Sequence, residues 1–171
     1  MRNPDFITIK RGGLLTPDDH KSLIRWAISC TEHAIKLVGI VPDPRLTDAL
    51  KIAVNWEKDL TTTGEAMKAA RKAHEAAREA PDQISMFLAR SAGHASATAH
   101  MADHCPGAAL YALKATGLSG NDIQKEKEWQ VNQLNDMPPL LKEKVRTLLD
   151  QKARHFKLKP RELKCQIEYK L

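Results

Sequence analysis

The chain has 171 residues, with 27 Lys and Arg against 21 Asp and Glu, a net charge of +6 and only 5% aromatic residues. That length suits one domain with a sizeable core, and few aromatics beside much Ala argues against a sheet, since strands favour aromatic and β-branched residues. The N-terminus lacks the apolar stretch of a secretory signal, no charge-poor run is apolar enough for a membrane span, and Cys30, Cys105 and Cys165, without a CxxC pair, read as free thiols in a reducing cytoplasm.

Asn3–Leu15 alternates polar and apolar residues before Gly12-Gly13, which suggests an extended lead-in, in part an edge strand. Thr16-Pro17-Asp18-Asp19 is a helix start: a hydroxyl cap, Pro in the first turn and acids facing the helix dipole. The helix runs to about Val38 on a seam of Leu23, Ala27, Cys30, Ala34 and Leu37, and Gly39 stops it. Asp43-Pro44 repeats the start for a second helix with Leu46, Ala49, Leu50, Ala53, Val54 and Trp56 on its apolar face. After a turn-rich linker at 60–64, Ala66, Ala70, Ala73 and Ala77 set a narrow seam for a third helix, closed by Pro81; His74 shares that inward face. A fourth begins near Asp82.

The fourth helix leads into Ser91–Ala112, SAGHASATAHMADHCPGAALYA, which organises the chain. Asp103 is its only formal charge, and most other side chains are Ala, Gly, Ser, Thr or Cys. A helix uncharged all round is one enclosed by others. This predicts a central rod over roughly 85–112, ended or kinked near Cys105 by Pro106. Further helices follow at 108–116, at 122–134 with Ile123, Trp129 and Leu134 inward, and from Pro139 to about Phe156 carrying Leu140, Leu141, Val145, Leu148 and Leu149. The fold class is therefore all-α, an array or bundle of about six to seven helices around a small-residue central helix. The domain spans 1–158, and 159–171 form a basic tail that is either a strand or loosely held. All of the net charge lies in residues 142–171, and the body before them is neutral. Acidic residues interrupt the basic run, so it reads as solvated surface rather than as a nucleic-acid arm.

Three of the seven histidines sit in the central stretch: His94, His100 and His104. On a continuous helix, His100 and His104 would stack about 6 Å apart along the axis, the spacing of a two-ligand metal clamp. With Asp103 they spell HMADH, a near miss to the H-x-x-E-H zinc pattern. His74 is the best third ligand for a divalent metal ion. His94, about 15 Å from His104 on such a helix, joins them only if the helix breaks. The competing reading needs no cofactor and makes these core histidines hydrogen-bonded to neighbouring helices. No phosphate loop, nucleophile elbow or carboxylate pair accompanies them.

RGGLLTPDDH, RWAISCTEHAIKL, DPRLTDALKIAVNW, the KAHEAAREA run, RSAGHASATAHMADH with GAALYALKA, and KEKEWQVNQL occur in this order. Together, over roughly 3–149, they resemble a bacterial family of immunity proteins similar to the fifth immunity class of polymorphic toxin systems. The resemblance implies an all-helical fold, no assigned catalytic activity, and a cognate protein toxin as the partner, neutralised by binding in the cytoplasm; the alternative that the residues leave open is a metal-binding helical protein or a metal-dependent enzyme using the histidines of the central helix. The resemblance also implies that His74, His94, His100 and His104 fall where the family carries histidine. The neutral body departs from the acidic character of many immunity proteins, which speaks against a nuclease target.

Overall fold

A computed structural model describes residues 3–156. Seven α-helices follow two short 3-10 turns: α1 (Pro17–Val38), α2 (Pro44–Glu57), α3 (Thr63–Glu79), α4 (Gln83–Ala97), α5 (Cys105–Leu118), α6 (Ile123–Asn132) and α7 (Pro139–His155). The all-α expectation holds. Among the described residues no helix is long and apolar enough to cross a membrane. Cys165 and the tail expected at 159–171 lie outside the described residues.

The starts are capped as the local sequence dictates. Thr16, Asp43, Thr62, Asp82 and Asp122 each accept a main-chain N–H of the first turn, satisfying donors that a helix leaves open. Gly39 ends α1 in the left-handed region, at φ 72°. The lead-in is not a strand: it is two 3-10 turns, Pro4–Phe6 and Ile9–Arg11, tied back by a single parallel bridge between Thr8 and Leu15. Asn3 caps the first of these turns and Pro4 occupies its opening position, both of which favour a helical start over extension.

The central stretch is enclosed, but it is a hairpin and not a rod. α4 ends at Ala97, Met101 is extended, and α5 starts at Cys105 after a 3-10 turn at Ala102–His104. Thr98 donates its hydroxyl to the His94 carbonyl, a back-bond that competes with helix continuation. Pro106 therefore sits in the opening turn of the following helix, where its missing N–H is no loss, and does not end the preceding one. The two helices run antiparallel: Ser91 donates to the Ala108 carbonyl at 2.8 Å, and the His94 ring lies on Gly107.

Small side chains allow this close approach. From α4 and α5, Ala89, Ala92, Ala95, Ala108, Ala109, Ala112 and Ala115 are all buried, with Leu88, Leu110 and Leu113 filling the wider gaps. The α1 seam of Leu23, Ala27, Cys30 and Ala34 packs against them, whereas Leu37, expected on it, stands 38% exposed at the helix end. Cys30 and Cys105 are free and buried, and burial pushes both thiols well up. From α7, Leu141, Val145, Leu148 and Leu149 close the core, while Leu140 points outward.

α6 turns the expected side inward, with Ile123 and Trp129 half-buried against the core and Leu134 buried just beyond its end, but its fully buried residues are the polar Glu126, Lys127 and Gln130. Trp26 donates its indole N–H to the Gln130 carbonyl at 2.9 Å, and Gln130 donates to the Ala109 carbonyl and to Glu126. Glu126 in turn holds the His33 Nδ1 at 2.6 Å, and the His33 ring stacks on Trp129 with centroids 3.7 Å apart. A satisfied polar network thus sits beside the apolar contacts of this helix. On α2, Glu57 is mostly covered and paired with Arg25.

Candidate functional site

Breaking the helix at 98–101 rearranges the histidines. The turn swings His104 back beside His94, with ring centroids 5.2 Å apart, although ten residues separate them. His74 reaches across from α3 to within 5.3 Å of His94, edge to face, and His100 lies 6.0 Å from His104. The result is a row, His74–His94–His104–His100, running from α3 through the hairpin to its turn. Tyr111 of α5 flanks His94 at 5.3 Å and leads on to Phe156 at 4.7 Å.

The row is tightly fitted. A Cβ at Gly93 would stand 2.5 Å from the His74 ring, and one at Gly107 2.6 Å from His94 Nδ1, both closer than real contacts allow. The two glycines in this stretch are thus the sockets for two imidazoles. Gly107→Ala is expected to lose about 1–2 kcal/mol, because overpacking outweighs the helix propensity that Ala brings. Gly64→Ala, with nothing nearer than 3.7 Å, is the control and is expected to be neutral or slightly stabilising. Thermal unfolding of the two variants makes the comparison.

Burial sets the proton affinity of the row. It lowers His94 to about 3, with the neighbouring His104 and His74 and the charges of Lys152 and Arg90 adding to the effect. It lowers His74 to about 4, reinforced by Arg90, His104 and Arg78. Arg90 donates to His74 Nδ1 at 3.4 Å, which requires that nitrogen to be unprotonated. Bases this weak are neutral near pH 7. His94 Nδ1 and His100 Nδ1 are buried without a hydrogen-bond partner among the described residues.

The metal expectation for His100, His104, Asp103 and His74 presumed one continuous helix. With that helix broken, His100 lies in the turn, and Asp103 and His104 in the 3-10 segment beyond it. Among the described residues, no group of three or more His, Cys, Asp or Glu is placed to hold a metal ion. Sequence reasoning placed His94 apart from His104, and it passed over His33 and Glu126 altogether. A reading of helix breaks could have found the first; no local signal marks the second.

At the His100 end of the row lies a cavity of about 540 Å³. The lead-in segment, the first turn of α1, the end of α2 and the turn at 99–103 form its walls, with Phe6, Trp56, His20 and Met101 among the lining side chains. His20 Nε2 donates to the Thr98 carbonyl at 2.6 Å and its ring packs on Trp56, so α1 fastens the turn that shapes this cavity.

Residues 13–137 match the family model described as Imm-5 like putative immunity protein. The chain belongs to that family. The match opens just before α1 and closes at Met137, so it takes in the hairpin, the whole histidine row and the His33–Glu126 pair. In this Imm-5 like protein α7 lies beyond the matched span yet supplies Leu141, Val145, Leu148 and Leu149 to the core. Comparison with curated proteins and with solved structures finds no match.

Proposed function

We propose that this Imm-5 like protein neutralises a cognate protein toxin of a bacterial polymorphic toxin system by binding it directly, in the cytoplasm and without catalysis. Membership of the family, over residues 13–137, is the observation that carries this reading. The architecture supports it: a helical body closed around a small-residue hairpin is ordered before it meets a partner. Little conformational entropy is then lost on association, and more of the contact energy appears as affinity. An interface of ordinary size, about 1,200–2,000 Å² in total, would suffice to cover a toxin's active site.

Co-expression is the test. A toxin encoded beside this protein should arrest growth when expressed alone, and this protein should restore growth and copurify with the toxin in a stoichiometric complex. Growth arrest unrelieved by an abundant, folded immunity protein would overturn the reading. So would restored growth without a complex, since that outcome requires a mechanism other than binding.

A further inference from the structure

The cavity beside His100 has a built-in preference for one kind of guest. Its volume, about 540 Å³, falls in the ligand-binding range of roughly 300–1,000 Å³. Three cations line it: Lys10, Arg11 and Lys21. Lys21 is paired with Asp59 at 2.5 Å. Lys10 and Arg11, both exposed on the lead-in, have no carboxylate partner among the described residues. The cavity's other carboxylate, Asp103, belongs to the turn that Lys152 reaches by donating to the Asp103 main-chain carbonyl. Asp103 has no ion-pair partner among the described residues, so the lining, three cations against two carboxylates, carries a net charge of +1, and the two unpaired cations of the lead-in make that side of the mouth the one that takes an anion. Burial lowers the proton affinity of His20 in the cavity wall, and the charge of Arg11 adds to that lowering.

One exposed large apolar side chain, Ile9 (56%), lines the cavity, and Leu14 (63%) and Leu60 (70%), also exposed, are neighbours in sequence of its lining residues. An exposed apolar side chain beside a concave site suits a partner's apolar group. At the opposite end of α1, Ile40 and Val41 are also exposed.

We propose that this cavity is the socket in which the toxin docks. An acidic residue next to an apolar one, on a segment of the toxin, would enter it. The carboxylate would meet Arg11 and Lys10, and the apolar side chain would pack against Phe6, Trp56 and Met101. The inference rests on the immunity reading and adds to it a surface and the chemistry of what that surface takes.

Two experiments test it. In the first, isotope-labelled protein is titrated with the blocked dipeptide acetyl-Leu-Glu-amide and its Leu-Gln and Leu-Lys counterparts. The acidic peptide should shift the amides of Arg11, His20 and residues 99–103, and bind about tenfold more tightly than the Gln form, with the advantage shrinking in salt. Equal binding of the Lys peptide, or no shift around the cavity, would overturn the proposal. In the second, growth rescue is compared for wild type, Lys10→Glu/Arg11→Glu and the α3 surface control Arg71→Glu/Lys72→Glu. Both variants change exposed residues, and circular dichroism confirms their folding. The first should lose rescue and toxin affinity by at least about tenfold, and the control should keep both. Rescue by Lys10→Glu/Arg11→Glu at the wild-type level would overturn the socket and leave the immunity reading standing. If wild type itself fails to rescue, the immunity reading falls and the socket's toxin assignment falls with it. The titration then reports separately whether the cavity takes carboxylates.

Discussion

Taking the protein from pH 7 to pH 5 is expected to remove about 3 kcal/mol of stability, a large share of the roughly 5–15 kcal/mol typical of a domain. The cause is the histidine row. An exposed imidazole in the unfolded chain has its ordinary value of 6.5, whereas burial holds His94 to about 3 and His74 to about 4. The unfolded chain therefore binds protons first as the pH falls. The stability associated with these rings is complete above about pH 7 and is lost as the pH drops through 6.5 toward the folded values. His94 contributes about 2 kcal/mol of the loss at pH 5. His74 is closer to solvent and contributes about 1 kcal/mol after allowance for screening. Each ring depresses the other, so the two losses are coupled. His20 is lowered as well and adds in the same direction.

Urea unfolding at intervals between pH 7.5 and 5 measures this directly. His94→Leu should flatten the profile, since it removes the most depressed base together with its unpartnered Nδ1. A wild-type profile with no slope between pH 7 and 5 would show that protons reach the folded row at little cost, contrary to the burial described above.

What could be read in the sequence was local. Thr16-Pro17, Asp43-Pro44, Asp82 and Gly39 each act within one turn of themselves, and each marks a boundary where it was expected. Burial of the small-residue stretch was legible because a helix without charge has no face to offer solvent. The hairpin was not legible. Pro106 is compatible with ending one helix or opening another, and the choice depends on Thr98, Met101 and the partners awaiting α5. That single ambiguity carried over to the site. It held His94 and His104 at about 15 Å on an imagined rod, whereas the fold brings their rings to 5.2 Å. Long-range pairings were equally hidden, since nothing near His33 announces a carboxylate 93 residues away. On α6, Glu126, Lys127 and Gln130 look like a solvated face because sequence pattern counts polarity and not the partners that satisfy it.

The His33–Glu126 pair carries the second large effect. Glu126 has no exposed side-chain surface, and burial raises its carboxyl above the ordinary range; hydrogen bonds from Gln130 and the nearby His33 pull it back. His33→Ala removes the Nδ1 partner and the stack on Trp129 and leaves a carboxylate that must ionise without a counterpart. Leaving a buried acceptor without its partner costs about 1–3 kcal/mol, and that range applies here because the His33 side chain is 26% exposed and Gln130 keeps its own bond to Glu126. The pH dependence of this loss runs opposite to that of the histidine row. With the imidazole gone, the folded-state proton affinity of Glu126 rises further above its unfolded value, so stability present at low pH is lost as the pH rises toward the folded value. The difference between His33→Ala and wild type should therefore be smaller at pH 5 than at pH 8. Adding Glu126→Gln to His33→Ala should recover most of the loss at pH 8, since an amide keeps the volume and need not ionise. A loss in His33→Ala that is equal at both pH values and untouched by Glu126→Gln would mean that the ring matters only through its stack on Trp129. The buried carboxylate would then be carried by Gln130 alone.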